Sequence, residues 1–195
     1  MKNFTVPESV NWYSVLADMT QYASAPSKNL YDAETNVFYN RFTGTAQTHL
    51  NMMGGAGAGT WTAEKVDSGA YIAIKYRAQG GKFTVNIATK DFGAASETQP
   101  TRPAYKSVGD ISGDETMGDW RIAVIKIPEG KNYTVNSEQE VGIMLLTDGK
   151  AYTIDLSYVA ILDELSELSE LLEEGEDYYY HGESFSNEGN LNATE

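Results

Sequence analysis

The 195-residue sequence contains no cysteine, which excludes disulfides, thiolate nucleophiles and cysteine-ligated metals. It has only two histidines, His49 and His181, which lie far apart and lack the spacing of a zinc site. No G-x-S-x-G motif occurs, and GGAGAG at 54–59 lacks the lysine of a phosphate loop. These absences predict a protein that is not an enzyme. A convergent pair of carboxylates is the alternative, although no feature of the sequence selects such a pair.

The sequence has no run of about 18 apolar residues, so we predict no membrane insertion. Residues 1–20 lack a basic segment followed by an apolar core, and we therefore predict no signal peptide in this chain. Either the protein is used without export, or a longer exported parent has been trimmed to this piece.

Basic residues are absent after Lys150, and this gives the charge a strong asymmetry. Of the 28 acids, 11 lie in residues 163–195, whereas residues 1–150 hold 16 acids against 14 bases. A nearly neutral body with an acidic tail argues against nucleic acids and anionic membranes as partners.

Short runs rich in β-branched and aromatic residues follow one another between turns made of glycine, asparagine and aspartate. They predict about eight strands, at 37–42, 48–53, 60–66, 70–78, 82–89, 119–127, 140–146 and 151–162. Strands without intervening helices indicate an all-β fold, namely a jelly-roll-like β-sandwich. Residues 91–118 are expected to form a long polar loop.

Helical spacing is present only at the two ends of the chain. Residues 7–23 predict a short N-terminal helix, and ILDELSELSELLEEGED at 161–177 predicts an acidic amphipathic helix. The predicted organisation is therefore an N-terminal helical segment at 1–30, a β-sandwich domain at 31–162, and an acidic helix with a tyrosine-rich tail at 163–195.

Four segments carry a family resemblance: NRFTG (40–44), YIAIKYR (71–77), GDWRIAVIKI (118–127) and YTIDLSYVAILDEL (152–165). Their order resembles the jelly-roll, galactose-binding-like modules of large secreted proteins of Gram-positive gut bacteria. The resemblance implies a non-catalytic carbohydrate-binding or adhesion module for a glycan or cell-surface polysaccharide. It fits display on a larger assembly, such as a bacteriophage particle, and hence an extracellular or virion location. The alternative is a purely structural virion subunit, either a head-decoration or a fibre-associated protein, that binds only neighbouring subunits.

Aromatic rings and guanidinium groups are the side chains that we expect to contact a sugar. Trp61 follows a glycine-rich loop and Tyr105 lies in the predicted long loop, whereas Trp120 alternates with apolar residues and is assigned to the core. The candidate cations are expected on a solvated or groove-lining sheet face; they are Arg41, Lys75, Arg77 and Arg121. An ordinary wet sheet face is the alternative.

The acidic stretch GDISGDETMGD at 109–119 has oxygen ligands at the spacing of a calcium loop. Asp110, Ser112 and Asp114 stand at positions 1, 3 and 5, with Glu115 and Asp119 close by. The stretch lacks the glycine and bidentate glutamate of an EF-hand, so a solvated acidic loop is the alternative. We expect no required cofactor, with a structural calcium ion as the one option.

Two C-terminal features predict contacts with other protein subunits. Leu165, Leu168 and Leu172 form one apolar stripe, for which the alternative is packing on the chain's own sandwich. The run Tyr178, Tyr179, Tyr180 combines large rings with hydroxyls, and we expect it to dock on a neighbouring subunit.

Overall fold

The computed structural model describes residues 11–14, 20–21, 28–53, 70–89, 104–127, 141–172, 178–180 and 183–185. Almost all of them lie in strands, and the one helix among them is a 3-10 helix at Leu165–Glu170. The strands are β1 (Asn11–Ser14), β2 (Thr20–Gln21), β3 (Lys28–Asp32), β4 (Val37–Gly44), β5 (His49–Met53), β6 (Tyr71–Gln79), β7 (Lys82–Thr89), β8 (Ala104–Ser112), β9 (Arg121–Lys126), β10 (Val141–Thr147), β11 (Tyr152–Leu162), β12 (Tyr178–Tyr180) and β13 (Glu183–Phe185).

Two sheets form a β-sandwich, which confirms the predicted fold class. Sheet A has the order β13-β12-β9-β6-β11-β4-β3, and β1 also pairs with β11. Sheet B has the order β2-β5-β10-β7-β8. All described pairs are antiparallel except β12 with β9. Seven of the eight predicted runs coincide with strands, and the eighth, at 60–66, lies outside the described residues.

The main core lies between the inner faces of the two sheets. Sheet A contributes apolar side chains such as Ile74 and Leu156, and sheet B contributes Phe83, Val85 and Leu145. All five are fully buried. Burial of a side chain of this size contributes about 1.5–3 kcal/mol, so these alternating residues are the main source of the sandwich's stability.

A bulge in β11 reverses the alternation of this central strand. Leu156 pairs with Tyr76 and Tyr158 pairs with Lys75, which leaves Ser157 as the extra residue. Before the bulge the even-numbered residues face the main core, and after it the odd-numbered residues do so. Tyr158 therefore points to the outer face of sheet A, where it is buried.

A second, smaller apolar cluster covers part of the outer face of sheet A. Leu168 and Leu171 pack from the 3-10 helix region onto Ala73, Ile122 and Tyr158. The leucine stripe therefore packs on its own sandwich, with Leu165 and Leu172 partly buried at the margin.

The C-terminal helix is shorter and tighter than the sequence predicts. Residues Ile161 and Leu162 continue β11 opposite Ile72 and Tyr71, because pairing in the sheet satisfies their backbone groups. The helix begins after Glu164, whose capping box with Glu167 fixes its start. Residues 173–177 of the predicted helix lie outside the described residues.

The described part of the N-terminal segment is extended rather than helical. In place of the predicted helix over 7–23, β1 pairs with β11 from Asn11 opposite Ile161 to Ser14 opposite Tyr158. Residues 20–21 pair with β5 in sheet B. Pairing across the chain overrides the local helical spacing, and the aromatic pair at 12–13 suits a strand. The remaining residues of 7–23 lie outside the described residues.

The predicted long loop over 91–118 contains strand β8, whose nine residues pair with β7. The run AYKSVGDIS does not alternate in hydrophobicity, because a bulge opposite Val85 and Asn86 shifts its register midway. β8 forms one edge of sheet B. It therefore adds one wall to the open side of the sandwich.

Candidate functional site

Three charged side chains lie side by side on the outer face of sheet A. Asp155 of β11 pairs in register with Arg41 of β4 on one side and Arg77 of β6 on the other. Arg41 donates from Nε and Nη2 to the two carboxylate oxygens at 2.7 and 2.8 Å, and Arg77 Nε donates to Oδ2 at 2.8 Å. The Asp155 side chain is completely buried. The two arginines thus satisfy a carboxylate that has no access to water.

Asp32 extends this group, and two aromatic rings cover it. Arg77 Nη1 donates to Asp32 Oδ2 at 2.7 Å, and the same oxygen accepts from Trp120 Nε1 at 3.3 Å. The Arg77 guanidinium lies 4.7 Å from the Trp120 ring centroid and 5.2 Å from that of Tyr39. We call Arg41, Arg77, Asp32 and Asp155 the outer charge cluster.

The electrostatics of the outer charge cluster favour the ionised forms. Burial alone would raise the pKa of Asp32, but hydrogen bonds from Thr35, Trp120, Arg77 and Glu34 outweigh it and lower the pKa to about 2. The pKa of Arg41 is raised by its hydrogen bond to Asp155. The cluster is an ion-pair network whose donors are directed at acids of the same chain.

This arrangement corrects the expectation of a solvated or sugar-holding face around Lys75 and Arg77. Lys75 is only 3 % exposed, and the described hydrogen bonds of Arg77 go to Asp155 and Asp32. Trp120 alternates with Ile122 and Val124 as predicted, but on the outer face. There it is half-buried above Arg77 rather than placed in the main core.

A groove of about 530 Å³ lies on the open side of the sandwich, between edge strand β8 of sheet B and β9 of sheet A. Its floor is apolar and includes Val108, Ala123 and Ile125. The lack of a side chain at Gly109 leaves Ile125 uncovered in this floor, because a Cβ at that position would stand 2.9 Å from Ile125 Cγ2. We call this feature the β8–β9 groove. The polar residues that line it are Asp110, Ser112, Asp114, Arg121 and Lys126. The Asp110 carboxylate is directed away from the groove, to Lys82 and Thr84, so the ion pair at the groove margin is that of Asp114 and Arg121.

Arg121 organises one end of the β8–β9 groove. Its guanidinium lies 4.9 Å from the centroid of Tyr76, and its Nη2 donates to the Ser112 carbonyl at 2.7 Å. Its Nη1 lies 3.2 Å from Asp114 Oδ2. Burial lowers the pKa of Arg121, but electrostatic interactions and hydrogen bonds with Tyr76 and Asp114 outweigh this and raise the pKa overall. Of the four candidate arginines and lysines, Arg121 is the one that lines the groove.

A close crossing of two chain segments closes the same end. Gly80 follows β6, and its amide donates to the Asp114 carbonyl at 2.8 Å, while Gly113 donates to the Gly81 carbonyl at 3.2 Å. A Cβ at Gly113 would stand 2.3 Å from the Gly80 carbonyl oxygen. Only glycine permits this approach, and the crossing fixes the loop that presents Asp114 to Arg121.

The residues of the expected calcium loop are divided among other partners. Asp110 lies in β8, where Lys82 Nζ approaches at 2.8 Å and Thr84 Oγ1 donates at 2.8 Å. Asp114 pairs with Arg121, and Glu115 and Asp119 are exposed. Within the described residues, no group of three or more histidine and acidic side chains is placed to share a metal ion. A structural calcium ion at this stretch stays a prediction from the sequence.

The aromatic candidates have separate positions. Trp61 lies outside the described residues. Tyr105 belongs to β8, opposite Ala88 of β7. The backbone of Tyr178, Tyr179 and Tyr180 forms β12, which pairs with β9 of the same chain. Docking of these tyrosines on a neighbouring subunit stays a prediction.

Sequence reasoning missed the two acids that organise the outer charge cluster. Asp155 stands in the otherwise apolar and aromatic run YTIDLSYVAIL, and Asp32 ends β3. A single acid within a strand that is buried on both faces implies a basic partner on a neighbouring strand. Read in that way, Asp155 could have identified Arg41 and Arg77 as partners.

No helix in the described ranges is long and apolar enough to cross a membrane. The chain matches no family model and no curated protein sequence. It is similar to several solved carbohydrate-binding modules at low identity. The xylan-binding module CBM15 is 15 % identical, with 78 % of this chain and 95 % of that one covered and a TM-score of 0.46.

Two further modules show a comparable likeness. The C-terminal CBM6 of the laminarinase LamC from Zobellia galactanivorans is 11 % identical, covering 79 % of this chain and 99 % of that one, with a TM-score of 0.43. The family 11 carbohydrate-binding module of Lic26A-Cel5E from Clostridium thermocellum is 14 % identical, covering 78 % and 87 %, with a TM-score of 0.44. Likeness this distant carries no argument about ligand or activity.

Proposed function

We propose that this chain is a non-catalytic carbohydrate-binding domain that holds a glycan in the β8–β9 groove. The observation that carries the proposal is a groove of about 530 Å³ with an apolar floor and a polar margin. Small-molecule sites commonly have volumes of about 300–1,000 Å³ and combine these two kinds of surface.

The floor and margin match the two chemistries of a sugar. The C–H face of a pyranose ring is apolar and suits Val108, Ala123 and Ile125. The hydroxyl groups need donors and acceptors, which Arg121 and Asp114 supply at the margin. β8 is also an edge strand, so backbone groups on its groove side add further hydrogen-bonding capacity.

The charges of the groove support binding rather than hydrolysis. Asp110 is paired with Lys82 and Asp114 with Arg121, so each described acid already faces a cation. A hydrolytic pair would need one carboxyl that keeps its proton and another placed across the scissile bond. The margin is balanced in charge, which favours a neutral glycan over a uronic or sulfated one.

A glycan array followed by titration calorimetry tests the proposal. Asp114→Ala should weaken binding of the selected glycan by about tenfold or more, because a hydrogen bond to a charged group contributes about 1.5–3 kcal/mol. Asp148→Ala is the matched control, because Asp148 also pairs with a basic side chain, that of Lys150, but belongs to a turn outside the groove. Melting temperatures of both variants establish that the fold persists.

Three outcomes separate the alternatives. Equal glycan binding by the two variants would show that the glycan does not bind in the groove. Binding of no glycan would favour the structural alternative, in which the sandwich contacts only neighbouring protein subunits. Turnover of the glycan would exclude a purely binding role. Attachment to a bacteriophage particle stays a prediction from the sequence resemblance, and recovery of the chain from purified particles is its test.

A further inference from the structure

A pair of stacked aromatic rings lies at the tip of the β3–β4 hairpin, away from the β8–β9 groove. Tyr31 and Phe38 are direct cross-strand partners, with ring centroids 4.6 Å apart and planes tilted by 36°. Tyr31 is 40 % exposed, and within the described residues it is the one large apolar side chain that is exposed. Its ring therefore offers a face to solvent while Phe38 supports it.

The hairpin holds this ring in one position before any ligand arrives. The Tyr31 hydroxyl donates to Asn36 Oδ1 at 2.7 Å, and Asn36 itself adopts a φ of 56° in the turn. Asp32 Oδ1 accepts from the amides of Glu34 and Thr35 at 3.1 and 3.3 Å, which fixes the rest of the turn.

The same aspartate anchors the hairpin to the body of the protein. Asp32 Oδ2 accepts from Arg77 and Trp120 in the outer charge cluster. The ring therefore stands on a turn that is tied to β6 and to the segment before β9. A ligand that stacks on Tyr31 loses little affinity to ordering the protein, since preorganisation removes that cost.

We propose that the exposed face of Tyr31 is a second carbohydrate contact, which stacks on the apolar face of one sugar ring. One exposed ring is far smaller than the roughly 800 Å² per partner that a stable protein interface buries. Around it, Glu34 and Thr35 are exposed polar residues and Asn36 is half-buried, a rim that suits the hydroxyls of the same sugar.

The position of Tyr31 gives the second contact a distinct role, which rests on the proposed function of the groove. In sheet A, β9 and β3 are separated by β6, β11 and β4, which places them about 19 Å apart at the usual strand spacing. A disaccharide or trisaccharide in the groove is shorter than this distance and does not reach the hairpin. One molecule would hold two polysaccharide chains, or two distant stretches of one chain, and would cross-link soluble polysaccharide.

Nuclear magnetic resonance titration of the full chain tests the contact directly. The probes are trisaccharides of β-1,4-linked xylose, glucose, mannose and galactose. The ring signals of Tyr31 and Phe38 should shift with at least one probe, and should still shift in the Asp114→Ala groove variant. Tyr31→Ala should abolish cross-linking, measured as turbidity of the corresponding soluble polysaccharide, while Thr45→Ala, at an exposed residue outside this turn, should retain it.

The outcomes distinguish this inference from the proposed function. If the groove signals shift and the ring signals do not, the second contact is refuted and the groove stands. If the ring signals shift and the groove signals do not, the second contact stands and the groove assignment fails. If the ring signals move with protein concentration alone, Tyr31 contacts a second copy of the chain, and the inference is wrong.

Discussion

Replacing Asp155 by asparagine removes the central charge of the outer charge cluster and keeps the shape of the side chain. Asp155 accepts three hydrogen bonds of 2.7–2.8 Å from Arg41 and Arg77 and is completely buried. An asparagine in its place offers one acceptor oxygen and turns an amide N–H₂ toward a guanidinium. At least one arginine N–H then loses its partner, and two positive charges lose the negative charge between them.

The size of the stability loss depends on which partners each arginine keeps after the substitution. Breaking a buried ion pair by removing one partner costs about 3–5 kcal/mol. Arg77 keeps its bond to Asp32 and Arg41 is 39 % exposed, so both retain some compensation. We therefore expect a loss near the lower limit, about 3 kcal/mol. In a domain with a stability of about 5–15 kcal/mol, this is a large fraction.

Urea unfolding followed by tryptophan fluorescence measures this loss. The m-value should stay constant while the midpoint falls, because the surface exposed on unfolding is unchanged. Asp148→Asn is the matched control, because its pair with Lys150 is 3.9 Å long and the lysine is largely exposed. It should cost less than about 1 kcal/mol. Equal losses in the two variants would refute the view that burial makes Asp155 special.

Further predictions concern pH, metal and backbone conformation. Because the pKa of Asp32 falls from 3.8 to about 2 on folding, its contribution to the free energy of unfolding should be complete above about pH 4 and lost toward pH 2. Asp32→Asn should therefore make the urea midpoint depend less on pH over that range. Chelation with EDTA should leave the melting temperature unchanged, because Asp110 and Asp114 are paired with basic side chains. A clear decrease in the melting temperature would support a calcium ion at 109–119. Gly80→Ala should lower the stability by several kcal/mol, because φ is 64° and the new Cβ would stand 2.6 Å from a backbone oxygen. Gly149→Ala at φ 82° is the control, because it adds strain of about 1–3 kcal/mol without that contact. Equal losses of stability in urea unfolding would contradict the clash at Gly80.

Alternation along β6 predicted the strand and its inner face but not the character of its outer face. Ile72, Ile74 and Tyr76 face the main core as expected. Lys75 is buried and Arg77 half-buried because Tyr158 and Asp155 come beside them in β11, about 80 residues later in the chain. Local periodicity carries no information on such partners, so a face that is polar in sequence can still be an interior one.

Elements at the edges of the sandwich were the hardest to predict. β1 and β8 have weak patterns of their own and exist because a strand with a stronger pattern offers them a partner. The β8–β9 groove depends on this pairing and on the crossing at Gly80 and Gly113. Its residues come from distant segments, and only Arg121 and the acidic stretch at 109–119 were expected to act in binding.

The cover over the outer face of sheet A has a consequence for the colloidal behaviour of the protein. The segment that begins after Leu162 buries Ile122 and Tyr158 through Leu168 and Leu171. The same segment, residues 163–195, carries 11 of the 28 acids, which leaves 17 acids against 14 bases in the rest of the chain. Proteolysis after Leu162 would therefore uncover an apolar patch and remove most of the net charge in one cut. The sandwich would lose the electrostatic repulsion between its molecules at the same time as it exposes an apolar surface that self-associates. Precipitation should therefore follow cleavage closely.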